Sequence, residues 1–440
     1  MNYILLLQKV NELIYGWPIM LFIIVISCLF MIALRAIQVR YFCRAFKTII
    51  YPSSSNTLTT TISPFHAFIN TVNSNLGNAI IAGIATAIYA GGPGALFWFV
   101  CFGIVLMAVR FIEVYASTWY ASREKEKSTM FSGPMLYLQF VPGGSFLPYL
   151  YALFCVFYGL IGGNLIQANS MAVSLAATWG ISSLYTGVIL CLFVIYIFFG
   201  GAEQVKRISM NMVPLKVAVF IVATMVILLF HYKFLGAAIC LIIKSAFNPQ
   251  ALHGGIIGFS FQHMIAAGIS RSIIATESGL GSAAILFGST GNNDAMQNGL
   301  MGMVSTFVSI SIGFIVGLCI VVSQVYNSGL NSTALTVAAF DTVFGMYGGW
   351  IVSFLSVSFG CGVMVSYAYV VQSAWKVLAS DRYKLVLILL YSACALMGAV
   401  ATVDVVWYLA DIILFLMLAI NLYGLLMLLP QLRRSIFNEL

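Results

Sequence analysis

The sequence predicts an all-α polytopic membrane protein of about eleven spanning helices, folded as a five-plus-five inverted repeat behind one extra N-terminal helix. Three observations lead there. Hydrophobic residues make up 62% of the chain and charged residues 7%, with a mean hydropathy of +1.03. A soluble domain is about a quarter charged, so this much apolar surface requires lipid around it. Apolar runs of spanning length recur along the whole chain. Two of these runs are interrupted by glycines and polar residues at equivalent places in the two halves.

The first run, over 14–36, opens at Trp17 and Pro18 and closes at Arg35. It is long for a signal-peptide core and lacks a small-x-small cleavage site, so it reads as a retained transmembrane helix. The others fall near 63–90, 94–122, 146–176, 182–200, 210–232, 262–289, 296–325, 345–376, 383–402 and 405–430. GGPG at 91–94 is a turn between the second and third. The longest non-spanning stretches, about 37–62, 123–145 and 233–261, are too short for a separate soluble domain. Residues 1–440 therefore form one transmembrane domain, with the extra helix at 14–36, a first repeat at 63–232 and a second at 262–430.

Basic residues collect in alternate loops. Arg35, Arg40, Arg44 and Lys47 follow the first helix, and Arg123, Lys125 and Lys127 follow the third. Lys206, Arg207 and Lys216 surround the start of the sixth, Lys376, Arg382 and Lys384 separate the ninth from the tenth, and Arg433 and Arg434 lie near the end. This side is cytoplasmic by the positive-inside rule, which places the N-terminus outside and the C-terminus inside. The net charge of +8 thus reports topology, and no nucleic-acid or protein partner is indicated. The nine cysteines are scattered singly and the four histidines form no HxxH or HExxH, so no metal site and no disulfide framework are expected.

The first interrupted run contains NSNLGNAIIAG at 73–83, with Asn73, Asn75 and Asn78 as polar residues and Gly77 and Gly83 as flexible ones. The second contains ATESGLGSAAI at 275–285, with Glu277, Gly279 and Gly281. A broken helix frees N–H and C=O groups that lipid cannot satisfy, so breaks occur only where protein or a polar cavity receives them. Paired breaks in inverted halves are the pattern of secondary transporters, whose half-helix ends face a substrate near the midplane. Close helix packing through small residues is the alternative origin of such glycines.

GIATAIYAGGPGALFW at 83–98 resembles the GVATAIxxGGPGAxFW signature of the alanine or glycine:cation symporter family. SGPMLYL at 132–138 is similar to that family's GGPMYYI, and GNLIQANS at 163–170 to GNMVQANS. GISRSIIATESGLGSAAI at 268–285 resembles GVxRGVFSNEAGLGSAPI, QNGLMGM at 297–303 resembles RQGLIGM, and VWYLAD at 406–411 resembles VWNIAD. The resemblance implies a leucine-transporter-like fold in a cell (inner) membrane. It also implies uptake of small neutral amino acids, alanine, glycine or D-alanine, coupled to Na⁺ and without a cofactor. Gln167, on the QANS motif, is implied to meet the substrate amino group, as an amide oxygen can at no cost in buried charge. The N–H groups at the break of Gly279, Gly281 and Ser282 suit a substrate carboxylate. Thr276 and Glu277 occupy the family's Asn-Glu step. Asn78, Ala79 and Tyr367 complete the expected substrate set. Glu277 is a functional candidate or a structural partner of Arg271. Arg110 and Glu113, three apart on one helix face, read as an internal ion pair near the cytoplasmic end. Asp411 sits on a family motif or braces the last helix.

The resemblance departs at the expected cation site. The family's GTGNIAG becomes GNAIIAG at 77–83, which puts Asn78, Ala79 and Ile80 in place of threonine, glycine and asparagine. Its FAFTTxxGW aligns with FGCGVMVSY at 359–367, so two hydroxyl residues become Gly362 and Val363 and the tryptophan becomes Tyr367. An Asp-Thr step becomes Ser309 and Ile310. Hard cations need oxygen ligands. Three coupling schemes follow. Na⁺ would use other oxygens, with Gly77, Asn78, Glu277, Ser356 and Ser358 as candidates; H⁺ would be carried on Glu277 or Glu113; or amino acids would exchange without a cation. A sensor that binds without transporting shares the same residues. An enzyme would need a convergent acid, base or nucleophile set, and no such motif is found.

Overall fold

The computed structural model describes residues 6–7, 9–10, 13–14, 17–50, 63–124, 130–247, 261–290, 294–379 and 383–439. Every regular element among them is helical. Helix α1 (Trp17–Ala33) leads into a short α2 (Ile37–Arg40) and α3 (Phe42–Ile50). The second apolar run is split into α4 (Pro64–Asn75) and α5 (Asn78–Gly91). Ser63 caps α4 by accepting the His66 N–H, with Pro64 in the first turn where its missing donor costs nothing. Gly92, at φ +69°, and Pro93 turn the chain into α6 (Gly94–Arg123). A short α7 (Pro134–Tyr137) precedes α8 (Leu147–Leu160), which runs through a π-turn at Ile161–Leu165 into α9 (Ile166–Trp179).

Helix α10 (Ser183–Phe230) differs from the expected two helices with a connection between 200 and 210: it is helical throughout its 48 residues. At 1.5 Å per residue it is about 72 Å long, more than twice the roughly 30 Å hydrocarbon layer. Its stretches Ser183–Gly200 and Val213–Phe230 are each long and apolar enough to cross. Helix α11 (Leu235–Phe247) lies in a stretch expected to be loop. The second broken run is α12 (Phe261–Thr276) and α13 (Ser282–Gly288). Asp294 then caps α14 (Ala295–Val322) by accepting the Gln297 N–H at 2.8 Å. The unforeseen α15 (Ser332–Phe344) packs on α5 and on α16 (Met346–Ala379), and α17 (Lys384–Val400) and α18 (Val403–Glu439) follow.

Seven helical stretches among the described residues are long and apolar enough to cross a membrane. They present Leu184, Ile189, Leu192 and Phe199 to the outside, as lipid-facing surfaces do. The broken helices sit inside. With 12 and 14 residues, α4 and α5 are about 18 and 21 Å long, too short to cross singly. α12 packs along α5 while α13 lies against α4, so the two broken helices run head to tail, clasped by α6, α14 and α16. Of the basic residues expected in cytoplasmic loops, Lys125, Lys127 and Arg382 lie outside the described residues, as do the side chains of Lys206 and Arg207. Lys216 is not a loop residue. It lies in the second crossing stretch of α10 and is fully buried.

Candidate functional site

At the first break α4 ends on Leu76 and Gly77 takes an extended conformation before Asn78 starts α5. The glycine is required by space. A Cβ there would stand 2.5 Å from Val363 Cγ2 and 3.2 Å from Gln167 Oε1. Gln167 follows the π-turn, a device that re-aims side chains inside a helix. Its Nε2 donates to the Gly162 carbonyl and its Oε1 accepts the Asn78 N–H, both at 3.0 Å. The Asn78 side chain makes a reciprocal pair with Ser356, donating to the Ser356 carbonyl at 3.0 Å and accepting from Ser356 Oγ at 2.8 Å. Ala79 and Ile80 are buried beside it. Ser358, two residues on, is rotated by about 200° to a different face of α16. Gly83 does not break the helix: it lies inside α5, where a Cβ would stand 3.2 Å from the Trp407 ring.

At the second break Glu277, Gly279 and Gly281 all have positive φ, at +52°, +85° and +84°. The N–H groups of Gly279 and Gly281, expected to face a substrate carboxylate, instead donate to Glu113 Oε2 at 3.0 and 3.1 Å. Asn421 Nδ2 donates to the same oxygen at 3.2 Å and to the Gly279 carbonyl at 2.7 Å. Arg110 donates to Glu113 Oε1 at 2.8 Å and, through Nη2, to the Thr276 carbonyl. Tyr151 closes the set by donating to the Leu280 carbonyl at 2.5 Å. The Arg110–Glu113 pair was expected near a helix end. It sits near the middle of α6 because the unwound backbone beside it needs both a donor and an acceptor.

Glu277 lies between the two breaks. Its Oε2 accepts from Ser74 of α4 at 3.2 Å and from Ser282 of α13 at 2.7 Å, and the buried Tyr367 hydroxyl lies beside it. It does not pair with Arg271, which bonds Asp411 at 3.2 Å and stacks on Trp407 with 4.2 Å between guanidinium carbon and ring centre. The Thr276 hydroxyl donates back to the Ser272 carbonyl at 2.7 Å, as a threonine in a helix commonly does.

Sequence reasoning missed Lys216 as a site residue. Its Nζ donates to Asn73 Oδ1 at 2.6 Å and to the Leu76 carbonyl at 3.3 Å, directly at the first break. Two signals pointed there: a lone lysine in the apolar stretch VPLKVAVF at 213–220, and the amide density around Asn73.

Of the expected residues, the structure gathers Gly77, Asn78, Ala79, Gln167 and Ser356 at one break. It gathers Thr276, Glu277, Gly279, Gly281 and Ser282 at the other, with Tyr367 beside Glu277. Paired interrupted helices joined by buried polar side chains recur in secondary transporters. The model of the sodium:alanine symporter family matches residues 2–438. The chain belongs to that family. This family member is accordingly a multi-pass membrane transporter and not an enzyme. It is 30% identical over 442 residues to an uncharacterized transporter of Haemophilus influenzae, covering 99% of this chain and 94% of that one. It is 29% identical to the sodium/alanine symporter AgcS of Methanococcus maripaludis, covering 97% and 95%. Among solved structures, a substrate-bound, outward-open Na⁺-coupled sialic acid symporter matches with a TM-score of 0.55 at 12% identity, covering 91% of this chain and 86% of that one. At that identity the match establishes a shared fold.

Proposed function

We propose that this protein imports a small neutral amino acid, glycine or either enantiomer of alanine, by cation-coupled transport, and that the substrate binds at the first helix break. One observation carries the reading. The Asn78 N–H at the start of α5 and the Gln167 amide oxygen satisfy each other at 3.0 Å inside a buried site. A zwitterion supplies the complement of both. Its carboxylate takes the N–H at the positive end of the half-helix, and its ammonium takes the Gln167 oxygen. An amino acid can therefore insert into that bond without leaving either group unpaired. Ala79, Val363 and Tyr367 crowd the same place, and Gly77 already lacks room for a methyl group, so only a small side chain fits. The Arg110–Glu113–Asn421 cluster holds the second break, and Thr276, Gly279, Gly281 and Ser282 shape it without meeting the substrate carboxylate. Glu277 provides negative charge between the breaks, and Ser356 orients Asn78. Ser358 is a weaker cation ligand because it lies on another face.

The head-to-tail packing of α4–α5 against α12–α13 supports the five-plus-five inverted repeat, with 63–232 and 262–430 as its halves and 14–36 as the added helix. About eleven crossings are reached when each broken pair and each stretch of α10 counts as one, with the N-terminus outside and the C-terminus cytoplasmic. The sodium:alanine name of the family and of the archaeal relative makes Na⁺ the reference coupling ion for experiment. The test is uptake of labelled glycine, L-alanine and D-alanine into proteoliposomes, with and without an inward cation gradient. Saturable uptake that Gln167→Ala weakens supports the proposal. Binding of an amino acid without uptake under any gradient or counterflow would make the protein a sensor. Absence of both uptake and binding would overturn the reading.

A further inference from the structure

The carbonyl end of α4 is occupied by a cation that the chain itself supplies. Lys216 is 0% exposed, and its ammonium touches two oxygens, Asn73 Oδ1 and the Leu76 carbonyl, with the Phe359 ring centre 5.1 Å away. The Asn73 amide is held in one orientation. Its Nδ2 donates to the Gly362 carbonyl at 2.8 Å and to Ser366 at 3.1 Å, which turns Oδ1 toward the lysine. The carbonyl end of a broken half-helix is where secondary transporters coordinate a coupling cation, and the helix dipole favours positive charge there. The ligand set here, one carbonyl, one amide oxygen and one aromatic face, suits a monovalent cation.

On the opposite wall, Gly362 leaves no room for any side chain while Asn73 and Lys216 hold these positions. A Cβ on Gly362 would stand 2.3 Å from Asn73 Oδ1 and 2.7 Å from Lys216 Nζ. A threonine or serine at 362 therefore collides with the ammonium cage. Gly362 and Val363 are also the positions where the sequence lacks the two hydroxyls of the pattern it otherwise resembles. Gly362 on α16, one of those two positions, and the Lys216 ammonium from α10 fall within one contact shell.

We propose that the Lys216 ammonium is a tethered substitute for the coupling cation at the first break, and that the proton it carries, in place of a free Na⁺, is loaded and released there during transport. The release balances simply. One N–H bond breaks, its electron pair stays on Nζ, and the proton passes to water on the side to which the site opens. The neutral amine retains two N–H groups for Asn73 and Leu76. Facing groups set the environment of this step. From α4 they are the Asn73 amide and the Leu76 carbonyl; from α16 they are Phe359, the Gly362 backbone and the Cys361 thiol, the titratable neighbour among the described residues. Glu277 reaches α4 at Ser74, one residue beyond Asn73.

This inference rests on the transport reading above, and one experiment separates the two. The full-length protein is reconstituted, and uptake of labelled L-alanine, glycine and D-alanine is measured under an inward proton gradient, under an inward Na⁺ gradient, and as counterflow with neither. At zero membrane potential, one proton per zwitterion and a one-unit pH gradient, wild type is expected to accumulate substrate up to about tenfold. Replacing Na⁺ by choline is expected to change nothing. Lys216→Met should keep counterflow and lose proton-driven accumulation. Lys216→Arg, which keeps a permanent charge in the cage, should do the same and covers the case in which the methionine variant does not fold. Accumulation driven by Na⁺ alone, or proton-driven accumulation that survives in Lys216→Met, would overturn the lysine proposal and leave the transport reading standing. Absence of both uptake and amino-acid binding in wild type would overturn the transport reading and this inference with it.

Discussion

Glu113→Gln tests whether side chains hold the second break together. In the native protein four donors converge on this carboxylate: Arg110 at 2.8 Å, the Gly279 and Gly281 N–H groups at 3.0 and 3.1 Å, and Asn421 at 3.2 Å. Glutamine keeps the shape but has one oxygen. Its best orientation turns that oxygen to the two glycines and Asn421, which leaves its NH₂ against the Arg110 guanidinium. Arg110 is then a fully buried cation with no carboxylate bonded to it. Removing one partner of a buried ion pair costs about 3–5 kcal/mol. Glu113→Ala also orphans the two glycine N–H groups, at roughly 1–3 kcal/mol each. The assay is denaturant unfolding of the detergent-purified protein, followed by tryptophan fluorescence. Glu113→Gln should lose about 3–5 kcal/mol and Glu113→Ala more. Arg110→Met/Glu113→Gln should lose less than Glu113→Gln alone, because no unpaired charge is left, with a coupling of about 1–3 kcal/mol. A Glu113→Gln variant within roughly 0.5 kcal/mol of wild type, the range of ordinary surface substitutions, or strictly additive double mutants, would refute the reasoning.

Gly77→Ala drives a methyl group into Val363 and Gln167, so uptake should fall steeply; adding Val363→Ala should restore much of it, and failure of that rescue would show that the glycine is needed for its backbone instead. Gln167→Ala leaves the Asn78 N–H unpaired, at roughly 1–3 kcal/mol for a buried group. Its half-saturation concentration should rise about tenfold if an ammonium bond is lost, since about 1.4 kcal/mol is tenfold in affinity. Asp411→Asn removes the carboxylate facing Arg271, which keeps its stacking on Trp407. A stability loss of about 1–3 kcal/mol in the unfolding assay, with little change in half-saturation, is expected for this brace between α12 and α18.

The parts of the fold legible in the sequence are those decided by local chemistry. Spans follow from apolar length, and the breaks follow from Gly77 and from Gly279 with Gly281, because flexible backbone among amides and a carboxylate has few other uses inside a membrane. What escaped depends on which group a side chain meets. The spacing of Arg110 and Glu113 predicted their pairing, yet nothing local says that the pair faces the Gly279–Gly281 backbone, which is more than 160 residues away in sequence. The N–H groups assigned to a substrate were thus already satisfied. Glu277 was offered Arg271 by proximity in sequence, but it lies one residue past the end of α12 with a φ of +52°, and the break carries its carboxylate to Ser74 and Ser282 and away from Arg271. Lys216 shows the same limit most sharply. The positive-inside rule counts a lysine by its place between apolar runs, and a break between two helices was expected near 200–210. Because α10 continues as helix past that point, position 216 is not at a helix mouth but inside the bundle, opposite Asn73 and Leu76. The missing hydroxyls at Gly362 and Val363 were visible as departures from a pattern, but the close approach of Asn73 and Lys216 to Gly362 was not. A ligand set that loses two oxygens reads as a weakened cation site until the neighbouring helix is seen to supply the charge.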